Sequence, residues 1–214
     1  MATKGVFRVE CPHCGEGFDA DFWTVVRGDR DEDVKELILS GEFDILMCPK
    51  CEAMFQHEEP FLYIDPGKDI LAFVMPESYR EKKDEWIARM KKDYEPVRAS
   101  LASHQGVTGE PLYLFGLAPL TLLLETDRDR EEETEVMEFM AREDGLHLLA
   151  VKPSAARELD IPFAIPMPAG LEGRAAALRA AEALRARNDA LPRLKKLIEA
   201  LSALKGEELA FLKK

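Results

Sequence analysis

Cys11-Pro12-His13-Cys14 and Cys48-Pro49-Lys50-Cys51 are two turns of one form, and they hold all four cysteines of the chain. A phenylalanine follows the second cysteine of each by four residues (Phe18 and Phe55), so Cys-Pro-x-Cys-x-x-x-Phe recurs after 37 positions. Two residues between cysteines let one tight turn present both sulfurs to an ion at about 2.3 Å, and four thiolates complete a tetrahedron. Thiolate sulfur suits the borderline-soft zinc ion. Proline after the first cysteine presets the turn and removes a donor where none need point at sulfur. Gly15 permits the sharp exit of the first turn, and Glu52 stands at the equivalent place in the second. Cys11, Cys14, Cys48 and Cys51 are therefore the expected ligands of one structural Zn2+.

Two other chemistries use similar turns. Four thiolates also hold a single iron, which makes iron the alternative metal. Cys-Pro-His-Cys is also a redox motif where its first thiolate lies at a helix N-terminus. Here Gly15-Glu16-Gly17-Phe18-Asp19 follows, a poor helix start, and a second cysteine pair waits as ligands. The 33 residues between the pairs exceed the usual 15–20 of a zinc ribbon, so the insert must carry structure of its own.

Working outward, residues 5–10 alternate as a short strand entering the first turn, and residues 18–27 read as the strand leaving it. Residues 31–40 fit a helix capped by Asp31 or Asp33, with Val34, Leu37 and Ile38 as its apolar stripe and Gly41 at its end. Residues 43–47 form a strand into the second turn. The strands before the two turns are expected to pair and so bring the turns face to face. Residues 61–64 and 70–75 flank Asp65-Pro66-Gly67-Lys68, a hairpin signal. From Glu77 a helical pattern places Ile87, Met90, Tyr94, Val97 and Leu101 on one face, with Pro96 expected to kink it. Residues 112–115 and 120–124 read as buried strands. Residues 129–143 read as a helix with Val136, Phe139 and Met140 inward, and residues 146–151 as a last strand. Residues 152–170 carry four prolines and read as a linker or strap. Beyond Gly170, Leu191, Leu194, Ile198 and Leu201 form an apolar stripe, and Pro192 suits a helix's first turn, so 171–205 is a helical hairpin or kinked helix.

The 214 residues are 46% hydrophobic and 33% charged, the balance of a globular protein with a real core. The N-terminus lacks the apolar core of a signal peptide. The longest apolar stretch, residues 112–124, holds Gly116 and Pro119 and is too short to span a bilayer. A cytoplasmic protein is expected, in which paired cysteines serve metals rather than disulfides. Residues 171–214 hold ten Lys/Arg against six Asp/Glu, a net of +4, so the first 170 residues carry −16 of the total −12. Such an acidic body repels nucleic acid and anionic membranes. The knuckle region, with Glu10, Glu16, Asp19, Asp21 and Glu52, also lacks the basic character of a nucleic-acid-binding ribbon.

Catalytic motifs do not emerge: there is no phosphate-binding glycine loop, nucleophile elbow or His-Glu-x-x-His. The four histidines are His13, His57, His104 and His147. Among them His57-Glu58-Glu59 and His147 are candidates for a second site.

The doubled Cys-Pro-x-Cys, the strand Asp44-Ile45-Leu46-Met47 and the run Phe61-Leu62-Tyr63-Ile64-Asp65 resemble the CpXC domain family. The resemblance extends through Phe115-Gly116-Leu117 to about residue 145. It implies Cys11, Cys14, Cys48 and Cys51 as shared ligands and no catalytic residue. Glu52, where glycine would be usual, departs from the pattern.

The expectation is an α+β protein with a zinc-ribbon-like antiparallel β core, flanking helices and a C-terminal helical hairpin. Its parts are a zinc-binding domain at 1–151, a Pro-rich linker at 152–170 and a helical tail at 171–214. The expected role is a zinc-binding accessory or protein-interaction protein, working with a protein partner or as a homodimer. The alternatives are an enzyme with its site in a cleft between the β core and residues 106–151, or a nucleic-acid-associated regulator using the basic tail.

Overall fold

The computed structural model describes residues 3–105, 110–204, 206 and 209, the side chains of 96–105 excepted. The chain is mixed α and β and divides into two compact units, Met1–Leu124 and Glu125–Lys214.

The first unit is built on a five-stranded sheet. Strands β1 (Thr3–Glu10) and β2 (Gly17–Arg27) flank the first cysteine turn and pair antiparallel. Helix α1 (Glu32–Ser40) follows, then the short strands β3 (Ile45–Met47) and β4 (Met54–Gln56), which flank the second cysteine turn and form their own two-stranded sheet. Strands β5 (Phe61–Asp65) and β6 (Ile70–Met75) form the hairpin expected around Pro66-Gly67. A 3-10 segment (Glu77–Lys82), helix α2 (Lys83–Gln105) and strand β7 (Leu112–Phe115) come next. The sheet order is β1-β2-β5-β6-β7. It is a mixed sheet rather than an antiparallel one, because β2 runs parallel to β5 and β6 parallel to β7. Each parallel pair is joined by a long connection that contains a helix, as a parallel crossover requires.

Pairing also differs from the expected pattern at the cysteine turns. The strands before the two turns do not pair with each other. Each turn sits instead at the tip of a hairpin made with the strand that follows it. A tight turn favours the local antiparallel partner over one 37 residues away, because the loop to be closed is far shorter.

Alternation along β5 and β6 serves two layers. Phe61, Tyr63, Ile70, Ala72 and Val74 face a core with Val34 and Ile38 of α1, Phe43, and Leu120 and Leu124. Ile64 and Leu71 face the other way and pack with Tyr94 of α2. The sheet is therefore covered on both faces, which explains its near-continuous apolar strands. Of the α2 stripe, Met90 and Tyr94 are buried, while the side chains of Val97 and Leu101 lie outside the described residues. The helix runs through Pro96 without interruption. Helix α1 ends as expected, with Gly41 at φ 76° and the N–H groups of Gly41 and Glu42 capping Ile38 and Leu37 carbonyls. Asp31 does not cap α1 with its side chain; its Oδ2 accepts the Arg27 N–H at 3.0 Å.

Residues 120–124, expected as a strand, are helical. They belong to α3 (Ala118–Glu143), whose first turn accommodates Pro119. Leu120 and Leu124 are buried and Leu122 is 65% exposed, the one-sided burial of a helix.

The second unit carries β8 (Leu146–Ala150), α4 (Pro153–Glu158), β9 (Ala164–Pro168), α5 (Arg174–Arg187) and α6 (Pro192–Ala203). The segment expected as a linker, 152–170, thus contains α4 and β9, and β9 pairs antiparallel with β8. Its prolines fit that role. Pro153 opens α4, and Pro166 and Pro168 lie on a ribbon of only two strands, where a missing N–H costs no second ladder. Helices α5 and α6 form the expected helical hairpin. Of its expected stripe, Leu191, Leu194 and Leu201 are buried and Ile198 is partly buried; Leu184 and Leu197 join them in packing with Met137, Ile165 and Met167. The inward face of α3 is rotated from expectation. Met137 and Met140 are buried, whereas Val136 and Phe139 are 42% and 65% exposed.

Candidate metal centre

The two cysteine turns close by the same bonds. In the first, the Cys11 N–H donates to the Glu16 carbonyl and the Gly15 N–H to the Cys11 carbonyl, at 2.8 and 2.9 Å. In the second, Cys48 N–H donates to Ala53 and Glu52 N–H to Cys48, both at 3.0 Å. The repeated phenylalanines meet edge to face, with Phe18 and Phe55 ring centroids 6.3 Å apart. An ion pair between Lys50 Nζ and Glu16 Oε2 at 2.9 Å crosses from one turn to the other. The sequence repeat is thus a structural repeat, with the two copies facing each other through their sulfurs.

All four sulfurs lie within 4.8 Å of one another. Cys11 Sγ is 3.8 Å from Cys51 Sγ, and Cys14 Sγ is 3.7 Å from Cys48 Sγ. A tetrahedron with metal–sulfur bonds near 2.3 Å has edges of about 3.8 Å. The cluster is therefore a candidate metal site, and its residues fit a tetrahedral ion. Cys11 and Cys48 are buried; Cys14 and Cys51 are exposed. No bridging cystine competes for these thiols, since all four are free.

Electrostatics point the same way. Burial opposes ionisation of Cys48, but N–H donors from Cys51 and Lys50 and the neighbouring thiols outweigh it and bring it down to about 7. The Glu16 backbone favours a Cys14 thiolate, yet burial and hydrogen bonds to the other three sulfurs push Cys14 up to about 12. The Cys48 thiolate forms readily, while Cys14 and Cys51 are pushed up and keep their protons. A divalent cation removes that conflict by displacing the protons.

Glu52 occupies the position of Gly15 and adopts the same left-handed backbone, φ 58° against 70°. The departure from glycine leaves the turn's geometry unchanged and costs about 1–2 kcal/mol of strain. Glu52→Gly should accordingly raise the thermal unfolding temperature of the metal-loaded protein, and Gly15→Glu should lower it. A Glu52→Gly protein that melts earlier than the parent would contradict this account.

The other expected features fall elsewhere. Cys14 is followed by Gly15 and strand β2, so the helix N-terminus that activates redox Cys-x-x-Cys thiols is replaced by a strand. His13 is exposed on its turn. His57 lies in the first unit, paired with Glu59 at 3.1 Å. His147 is exposed on β8 of the second unit, and the side chain of His104 lies outside the described residues. Reading by motif missed Asp44, a half-buried residue with a φ of 57° whose backbone carbonyl accepts the His57 N–H at 3.2 Å. The signal available was its place just before a strand, in a chain segment that also carries His57-Glu58-Glu59.

Among the described residues no helix is long and apolar enough to cross a membrane. A family model described as CpXC protein matches residues 9–140, which takes in both cysteine turns and most of the first unit. No curated protein and no solved structure is matched by the chain.

Proposed function

From the premise that this chain belongs to the CpXC family, we propose that it is a cytoplasmic zinc-binding accessory protein, with one structural Zn2+ held by Cys11, Cys14, Cys48 and Cys51. The observation that carries the reading is the four-sulfur cluster at tetrahedral spacing, supplied by two turns with matching hydrogen bonds. Four thiolates leave no open coordination position, so the ion would staple rather than activate water. It would hold the β1–β2 and β3–β4 hairpins together as a zinc-ribbon-like element, a job that two short strands with little core of their own need done.

The role of the stapled element would be to present a surface to a protein partner or a second copy of the chain. Ile45, Met47 and Met54 support this: they lie on one face of the β3–β4 hairpin, and all three are exposed, Met47 and Met54 by 62% and 67%. Methionine side chains adapt to varied partners. Zinc is favoured over iron as a non-redox ion for a purely structural task, and nucleic acid is disfavoured by the acidic charge.

Elemental analysis of protein purified without added metal tests the reading. About one zinc per chain is expected, with thiols that react only after chelation. Stoichiometric iron with a visible absorbance band would replace zinc by the rubredoxin-type alternative. Folded protein with four freely titrating thiols and no metal would end the proposal.

A further inference from the structure

Strand β1 is one edge of the five-stranded sheet, and among the described residues no strand pairs with its outer side. Its eight residues, Thr3–Glu10, contain no proline, and the one irregularity in its pairing lies at the Thr3/Lys4 end. An open row of N–H and C=O groups recruits another strand, so long edges are ordinarily interrupted by proline, a bulge or a covering element. The opposite edge, β7, has only four residues, and the Phe115 carbonyl at its end accepts a bond from Arg80 Nη2 at 2.7 Å. The long open edge of this sheet is β1.

Which groups face outward follows from the ladder. The Cys11 N–H donates to the Glu16 carbonyl directly opposite, at 2.8 Å. Bonded residues alternate along an antiparallel pair, so Val9, Phe7 and Gly5 turn their backbone groups toward β2. Lys4, Val6, Arg8 and Glu10 turn theirs to the open side. The side chains of these four share one face of the sheet, where Lys4 lies over the Trp23 ring at 4.3 Å and Arg8 pairs with Asp19 at 3.2 Å. Val6 stands between them, 68% exposed. On the other face Phe7 is half-buried and meets Phe22 edge to face, with centroids 5.7 Å apart. Gly5 makes room for that ring, since a Cβ there would fall 2.8 Å from it.

A second copy of the same strand fits this edge in one register. A closed twofold contact pairs β1 antiparallel with itself. Both copies must offer outward groups at every bonded pair, so even-numbered residues must oppose even-numbered ones. With Phe7 on the twofold axis, Lys4 lies opposite the partner's Glu10, and Val6 lies opposite the partner's Arg8, whose methylenes cover it. The two Phe7 side chains then face each other at a position without ladder bonds, where side chains approach most closely. Centring the contact on Val6 sets Lys4 against the partner's Arg8, and centring it on Arg8 sets two arginines together. Like charges directly opposite are unfavourable. Centring it on Gly5 or Val9 pairs a shorter stretch of the strand.

We propose that the protein forms a homodimer through β1, with the two five-stranded sheets continuing as one across a twofold axis at Phe7. The bonded pairs supply about eight main-chain hydrogen bonds. The crossed Lys4–Glu10 contacts fix the register, and the charges that keep a foreign strand off this edge thereby select an identical one. The contact goes beyond the proposed accessory role: it uses neither the ion nor the exposed face of the β3–β4 hairpin, and its failure would leave the metal reading untouched.

Sedimentation equilibrium of the full chain tests the proposal, with metal content and circular dichroism measured on the same samples. The parent is expected to be dimeric at micromolar concentrations. Val6→Pro removes an outward N–H and sets a ring against the partner, while the β1–β2 ladder does not use that N–H. This variant should keep its fold and sediment as a monomer. Lys4→Glu and Glu10→Lys should each raise the dimer Kd by about tenfold. The two exchanges together restore opposite charges across the contact, so the double variant should return close to the parent Kd. If Val6→Pro does not fold, the charge exchange alone decides. A parent that stays monomeric up to millimolar concentration, a folded Val6→Pro protein that remains dimeric, or a double exchange that fails to recover affinity would overturn the proposal.

Discussion

Cys48→Ser is expected to strip the protein of its metal and to unfold the two-hairpin end of the first unit. Cys48 has no exposed surface, and its sulfur lies 3.7 Å from Cys14 Sγ. Serine offers a shorter, harder oxygen at a position water cannot reach to complete the coordination. Structural zinc contributes roughly 10–16 kcal/mol of apparent binding energy, so losing it outweighs any local packing change. The β3–β4 sheet, three residues on each strand with Ile45, Met47 and Met54 exposed, has little else to hold it. Metal content should fall from about one per chain to a small fraction, and amide exchange should accelerate across β3 and β4. Cys14→Ser should be milder, since Cys14 is exposed and water can take the fourth position. The buried residues of the second unit have their own core, so amides of β8 and β9 should keep their protection. Equal metal content in Cys48→Ser and parent protein would remove the cluster from consideration as a metal site.

The cysteine cluster was legible in the sequence because its chemistry is local. Cys-x-x-Cys spacing fixes each pair of sulfurs in one turn, and the repeated phenylalanine marks the second copy. The α1 boundaries, the β5–β6 hairpin and the α5–α6 pair were legible for the same reason: Gly41, Pro66-Gly67 and the Leu194/Leu201 spacing act within a few residues. What the sequence could not reveal is pairing at a distance. Nothing in residues 25–27 announces that they run parallel to residues 62–64. Leu120, Leu122, Leu123 and Leu124, interrupted only by Thr121, form a short apolar run, and such a run cannot separate a buried strand from a helix by period alone. Only the exposure of Leu122 between two buried leucines reveals the helix. Phe139 misled for a related reason. A large aromatic beside two other apolar residues suggests a core face, but the buried face of α3 passes through Met137 and Met140 instead. Proline density likewise suggested a linker where β9 exists, because a two-stranded ribbon leaves free edges where proline does no harm. Asp44 was hidden because a left-handed aspartate looks, in sequence, like any strand-flanking acid.

Asp127→Ala should destabilise the second unit by about 3–5 kcal/mol, the cost of stranding a buried charge. Asp127 and Arg130 are 3% and 2% exposed and joined at 2.7 Å, one turn apart on α3. Asp127 also accepts the Arg157 guanidinium from α4 at 2.7 Å. Arg130 Nε donates to the Ile161 carbonyl at 2.9 Å, and its ring contact is Phe163 at 5.3 Å. Without Asp127, Arg130 keeps only that carbonyl and a 3.4 Å approach to the half-exposed Asp160. The exposed Arg142–Glu138 pair on the same helix is the control, and Glu138→Ala should cost less than about 1 kcal/mol. Both tryptophans, Trp23 and Trp86, lie in the first unit, so fluorescence will not report this loss. Amide exchange at β8 and β9 will, since Leu148, Leu149 and Ile165 pack in the second unit's core. Replacing the pair together, Asp127→Leu with Arg130→Met, should recover most of the stability, because a packed apolar pair need not bear the desolvation that the ions do. If Asp127→Ala changes that protection by less than about 1 kcal/mol, the buried ion pair does not hold the second unit together, and its stability lies in the leucine and methionine core alone.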